Sequence, residues 1–236
     1  KLIAASSMLI DHIGYLFFDD MQWLRIVGRL AFPIFAFLIV EGAVHTRDFK
    51  KYVMRLSVFA LISEIPFNLA MRGRLIDTGG SNVLVTFVIG LICIALFKKL
   101  SLKYSFSTEN GIYGVLIFLA GAAAAYFLHS DYGAYGVMLI YVFYVFRDRK
   151  LAKSLLAVLI FGFMPGIQIF ASAALVILWF YNGREGYKSP AAKWGFYLFY
   201  PLHLFVLYMI KIMIYAHGAE RNRLMEKIAS FTIDHL

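Results

Sequence analysis

Charge is what this sequence has least of. Only 16% of its 236 residues are Asp, Glu, Lys or Arg, against about a quarter in ordinary soluble domains. No polar stretch is long enough to fold as a separate water-soluble domain. Cysteine is almost missing: Cys93 stands alone, inside an apolar run. One thiol makes neither an intrachain disulfide nor a zinc centre, so a buried structural cysteine is expected. No HExxH or HxxxH pattern occurs, and His12 and His203 are far apart in the chain, so no metal is expected. Repeats, coiled-coil heptads and Gly-rich nucleotide fingerprints are absent as well. The first apolar run carries Asp11 and His12 and is not followed by a small-residue cleavage site, which argues against a signal peptide.

What fills the chain instead is hydrocarbon. Hydrophobic residues make up 61% of it, and apolar runs of about 15 to 20 residues recur along its length, the pattern of a multi-spanning helical membrane protein. Spans are predicted at 2–19, 23–45, 52–70, 82–98, 111–128, 132–147, 151–164, 167–181 and 194–215. Helices are expected because lipid offers no partner to a free backbone group. The predicted fold is therefore all-α, a polytopic membrane helix bundle of about nine transmembrane helices. The two short ones meet at Met164-Pro165-Gly166. One transmembrane domain covers 1–218. A tail at 219–236 places Leu224, Ile228 and Phe231 on one helical face, as an interfacial helix would.

The net charge is +9. Its distribution points to a membrane rather than to nucleic acid. Segments 45–51, 98–110, 147–153 and 182–193 hold 3, 3, 4 and 3 Lys or Arg, whereas 19–22, 71–81, 129–131 and 165–166 hold 0, 2, 0 and 0. By the positive-inside rule the first set and the N-terminus lie in the cytoplasm. Nine spans would put the tail outside, which its Arg221, Arg223 and Lys227 mildly oppose. Ala120 to Ala125 is nearly all Ala and Gly and lets helices approach closely. "FYNGREGYKSP" (Phe180 to Pro190) is open between a phosphate-binding loop and a solvated cytoplasmic turn.

Polar residues within the spans carry the functional information. They are Asp11, His12, Arg25, Arg29, Glu41, Arg55, Glu64, Asn68 and His203, with Lys211 nearer an end. A charge at mid-membrane costs a few kcal/mol or more, so such groups usually pair or line a functional cavity. Bracing the bundle is the competing explanation for any one of them. His12 lies eleven residues past Lys1, about 16 Å at 1.5 Å per residue. Arg25, Arg29, Glu64, Asn68 and His203 fall at similar depths on other spans. Arg25 and Arg29 share a helix face and need anions, with Asp11 and Glu64 the nearest by depth. Asp11 and His12, as helix neighbours, point about 100° apart. Asp11 is therefore expected to hold an arginine while His12 faces elsewhere. Pro33, Pro66 and Pro201 each remove a helical hydrogen bond near this layer. Two classes fit: an enzyme with His12 as general base, or a transporter using the same groups as a proton relay.

The stretches "KLIAASSMLIDHIG", "WLRIVGRLAFPIFAFLIVEG", "SEIPFNLA", "YNGREG" and "FYPLHLFVLYMI" resemble the TraX family of conjugal-transfer membrane proteins, whose namesake acetylates the N-terminus of F-type pilin. The resemblance covers nearly the whole chain. The family is similar to a small branch of the transmembrane acyltransferase superfamily, which carries a basic residue, ten intervening residues and an essential histidine in its first helix. Lys1 and His12 match that spacing.

The resemblance implies acyl transfer from acetyl-CoA, or a related acyl-CoA, held on the cytoplasmic side of a bacterial cytoplasmic membrane. The acceptor is an amine or hydroxyl on a peptide, glycan or lipid. An O-acetyltransferase for an envelope glycan or lipid, and a proton-coupled transporter, stand as alternatives. On the enzyme reading His12 is the general base, in a catalytic set with Asp11, Arg29 and Glu64. Arg29 or Asn68 supplies the oxyanion donor. Lys1, Arg55, Arg184 and Lys188 are candidates for the CoA phosphates, and Arg25 and His203 for the substrate. Cys93 has no base near it in sequence, so an acyl-cysteine is not expected, while an acyl-histidine stays open.

Overall fold

Long apolar segments without strand-like alternation form helices, and the computed structural model is helical throughout. It describes the backbone of residues 1–103, 108–183 and 189–233, and side chains except at 101–110, 190 and 218–236. In order the helices are α1 (Leu2–Phe17), α2 (Gln22–Gly28), α3 (Ala31–His45), α4 (Phe49–Arg72), α5 (Val83–Lys103), α6 (Thr108–Phe127), α7 (Gly133–Val145), α8 (Lys150–Phe163), a 3-10 helix (Gly166–Ala173), α9 (Ala174–Trp179) and α10 (Pro190–Ile233). Among the described residues there is no strand, only an isolated bridge between Ser81 and Ser130.

Among the described residues four helical segments are long and apolar enough to cross a membrane: Gln22–His45, Phe49–Arg72, Val83–Leu100 and Ala191–His217. The rest of the bundle uses shorter apolar helices, including α1 and α7.

Two predicted spans are not single α-helices. The second is interrupted at Arg29-Leu30, between α2 and α3. Pro33 falls in the first turn of α3, where a missing N–H costs little. The break therefore comes before the proline rather than at it. The eighth begins after Pro165 as an eight-residue 3-10 helix before becoming α9, an unusual length for that geometry. The last predicted span ends at 215, but α10 continues as one helix to Ile233. The tail face of Leu224, Ile228 and Phe231 lies outside the described side chains.

The helices pack around a core that includes Phe143, Phe161, Leu91, Ile94 and Leu204. α10 lies along α4, and α1 against α2, α3 and α10. Cys93 is buried in a smaller cluster with Ile117 and Val137. The segments 73–82 and 128–132 meet at one end of the bundle. There Ser81 N–H donates to the His129 carbonyl and Asp131 N–H to that of Ser81, both at 3.0 Å. At the opposite end Lys150 Nζ donates to the Trp179 carbonyl and Lys153 Nζ to that of Arg147.

Candidate functional site: a charged cavity beside a histidine pair

The site is built on the contact of α1 with α2. Asp11, buried on α1, accepts from Arg29 Nη2 at 2.5 Å (Oδ1) and 2.6 Å (Oδ2). Arg25 Nη1 lies 2.9 Å from Oδ2 and donates to the Asp11 carbonyl at 3.1 Å. One carboxylate thus holds both arginines of the α2 face. Arg29 Nε donates to the Arg25 carbonyl at 3.2 Å. Ser7 Oγ donates to the Val27 carbonyl at 2.6 Å. Helices this close need a small residue at the crossing. At Gly28 any Cβ would fall within the carboxylate of Asp11.

His12 points elsewhere, as neighbours on a helix must. Its Nδ1 is 2.8 Å from Nε2 of His203 on α10, with the rings stacked at 5.0 Å. His203 Nδ1 is 2.7 Å from the Phe199 carbonyl. A carbonyl only accepts, which assigns the His203 proton to Nδ1 and leaves its Nε2, in the neutral ring, as an acceptor. His12 must then donate from Nδ1. Its own Nε2 is therefore unprotonated and free to act as a base.

His12 and Asp11 both line a cavity of about 300 Å³. It lies toward the end where segments 73–82 and 128–132 meet, since Arg72, Val83, Asp131 and Tyr132 also line it. Three guanidiniums (Arg25, Arg29, Arg72) and two carboxylates (Asp11, Asp131) face this space, with Phe32, Phe67 and Phe87 as apolar walls. The charges are largely committed. Arg72 Nη1 donates to Asn68 Oδ1 at 3.0 Å and to the Gly80 carbonyl at 2.7 Å, and sits 3.3 Å from Asp77. Among the described residues no group of three or more His, Cys, Asp or Glu could hold a metal ion.

The other expected site residues are spread more widely. Glu64 does not line the cavity. Its Oε1 accepts from Asn82 N–H at 3.0 Å and Asn82 Nδ2 at 2.7 Å, which anchors the start of α5 to α4. Asn68 supports Arg72 from behind. His203 stands behind His12 rather than in the wall. Lys1 lies three turns away, its Nζ 5.6 Å from the Phe196 ring centroid. Arg55, in the first half of α4, has a buried Nε with no hydrogen-bond partner among the described residues. Arg184 and Lys188 lie outside the described residues.

Arg72, Asp131, Tyr132 and Tyr200 were not anticipated in the cavity. Tyr200 stands three residues before His203, on the same helical face, and that spacing could have flagged it. Asp131 and Tyr132 sit in the five-residue connection between α6 and α7, where sequence periodicity has nothing to say.

A helical bundle with four membrane-length apolar segments among the described residues and a charge-lined cavity defines a membrane protein of the helical type. The chain belongs to the TraX protein family, whose model matches residues 1–211. It is 30% identical to the probable fimbrial assembly protein FimC, serogroup H1, of Dichelobacter nodosus, over 91% of this chain and 95% of that one. An uncharacterised protein of Rickettsia prowazekii is 23% identical over 64% of this chain and 55% of its own. No solved structure matches.

Proposed function

We propose that this protein is an integral-membrane acyltransferase that moves an acetyl or short acyl group from acyl-CoA to an amine or hydroxyl, with the N-terminal amine of a pilin-like peptide as the leading acceptor. Family membership supports the class, and similarity to a fimbrial assembly protein supports a pilus-related acceptor. The observation that carries the reading is the His12–His203–Phe199 chain of hydrogen bonds, which leaves an unprotonated Nε2 beside a cavity of substrate size.

An amine attacks a thioester only as its lone pair becomes available, so a base must take its proton as the C–N bond forms. His12 Nε2 does this. The imidazolium then returns the proton to the departing CoA thiolate. Asp11 is a positioning residue, because its carboxylate is occupied by Arg25 and Arg29. The basic segments support a CoA-binding end in the cytoplasm of a bacterial cell, with the N-terminus on that side. Lys1, Arg55, Arg184 and Lys188 meet the phosphates there. The acceptor reaches His12 through the cavity at the opposite end.

The test is CoA release and product mass with purified protein, acetyl-CoA and peptide, glycan or lipid acceptors. Mass gain on the acceptor with stoichiometric CoA release is expected. Solute flux in sealed vesicles without CoA release would mark a transporter and sink the proposal.

A further inference from the structure

Tyr132 combines two features that seldom coincide. It is a bulky side chain at φ 63°, the left-handed region, where non-Gly residues cost strain and bulky ones are rare. It also lines the cavity beside His12. The strain is imposed from several sides. Its N–H donates to Asp131 Oδ1 at 3.0 Å, Thr86 Oγ1 donates to the Asp131 carbonyl, and Asp131 N–H is tied to Ser81. Its ring lies flat on Phe32, centroids 3.6 Å apart and planes 7° apart. Gly136 leaves the room, since a Cβ there would press on Thr86, Tyr132 and Phe32. Glycine or asparagine would start α7 with less strain. The surroundings instead hold a phenol in one orientation.

The phenol oxygen faces Arg29 Nη1 at 3.5 Å. A guanidinium only donates, so Tyr132 accepts and its own proton is directed away from Arg29. Several of the other donor atoms around the cavity are engaged. Arg29 uses Nη2 on Asp11 and Nε on the Arg25 carbonyl. Arg25 Nη1 is on Asp11, and Arg72 Nη1 on Asn68 and Gly80. Asn68 does not line the cavity.

We propose that Tyr132 is a catalytic residue whose hydroxyl donates to the thioester carbonyl oxygen as it becomes an oxyanion, with Arg29 polarising it. This assignment rests on the acyl-transfer reading. The acceptor nitrogen bonds to the carbonyl carbon, and its proton passes to His12 Nε2. The C=O π pair moves onto oxygen, which Tyr132 O–H hydrogen-bonds without losing its proton. Collapse re-forms the carbonyl and expels the CoA sulfur, which takes the proton back from His12. Amide and free thiol result.

The experiment compares wild type, Tyr132→Phe and a variant with 3-fluorotyrosine at position 132, using acetyl-CoA and an acceptor peptide. Phenylalanine keeps the stack on Phe32 and removes only the hydroxyl. Its kcat should fall roughly a hundredfold, with KM for acetyl-CoA within about twofold and an unchanged melting temperature. The fluorinated ring keeps the donor and makes it more acidic, so kcat should be retained or raised, and its pH profile should shift. Tyr132→Phe within about threefold of wild type overturns the assignment while leaving acyl transfer intact. If Tyr132→Phe does not fold, a fluorotyrosine variant with wild-type kcat and pH profile overturns it instead. Absence of CoA release by the wild type overturns the transfer reading and this assignment together.

Discussion

Replacing Gly28 by alanine sets helix propensity against geometry. Glycine at a helical position is worse than alanine by about 0.5–1 kcal/mol, so propensity alone predicts that Gly28→Ala stabilises. The structure predicts the opposite sign. A methyl group at residue 28 occupies the space of the Asp11 carboxylate, and both partners are fixed by backbone. Either α1 and α2 separate or the carboxylate turns away from two guanidiniums. The arginines are unequally exposed, with 8% of the Arg29 side chain accessible and 28% of Arg25, so most of the damage is at Arg29. Breaking a buried ion pair by displacing one partner costs about 3–5 kcal/mol. Subtracting the propensity gain leaves a net loss of roughly 2–4 kcal/mol. For a domain of this size that lowers the melting temperature by about 5–15 °C. Thermal unfolding of purified protein in mild detergent, followed by near-UV circular dichroism, measures it. An alanine variant as stable as wild type, or more so, would refute the close approach of α2 to Asp11.

Other outcomes follow from the same contacts. His12→Ala should abolish CoA-dependent transfer while leaving folding intact, and near-normal turnover would remove His12 as the base. Arg29→Ala should destabilise more than Arg25→Ala, because Arg29 is the more buried partner of Asp11; equal melting temperatures would contradict that ranking. Glu64→Ala leaves Asn82, fully buried, short of an acceptor and should cost about 1–3 kcal/mol, with little effect on the KM of any acceptor in steady-state assays. Asp48 caps α4 by accepting from Lys51 N–H, which holds its carboxyl below the usual carboxylate range. That cap is complete at neutral pH and is lost only as pH falls through the depressed value, so the protection of the Lys51 amide relative to its intrinsic exchange rate should fall in acid, and should be low at every pH in Asp48→Ala. In sealed oriented vesicles, acyl-CoA supplied only on the outer face should give no product, and product there would overturn the proposed sidedness.

Apart from the break at Arg29-Leu30, the 3-10 start after Pro165 and the run of α10 past 215, the apolar runs made the helices legible to within a few residues, because lipid-compatible helices advertise themselves by composition alone. The grip of Asp11 on the arginines was legible too. Arg25 and Arg29 are one turn apart and require an anion, and the 100° offset turns His12 away from its neighbour. Glu64, the other candidate anion, instead holds Asn82, a pairing set by how the chain returns after α4 rather than by membrane depth. The contact between His12 and His203, 191 positions apart, depends on α10 packing beside α1, which no local pattern encodes. The backbone of Tyr132 was equally hidden. Its left-handed angle is held through Asp131, which bonds to Ser81 and Thr86 at the meeting of α5, α6 and α7.

The nearness of Asp11, Arg25 and Arg29 in the chain bears on how this protein enters a bilayer at all. A lone charge at mid-helix costs about 2.5–3.5 kcal/mol on insertion scales, and three together would keep the first segments at the translocon. Asp11 meets its arginines across only 14 and 18 residues, through the short turn at 18–21. The first hairpin therefore carries its own counter-ion, so that three separate charges become one paired cluster, and can partition into lipid as one unit. Gly28 and Ser7, which let the two helices close, are in that sense determinants of biogenesis, and only afterwards part of the finished site.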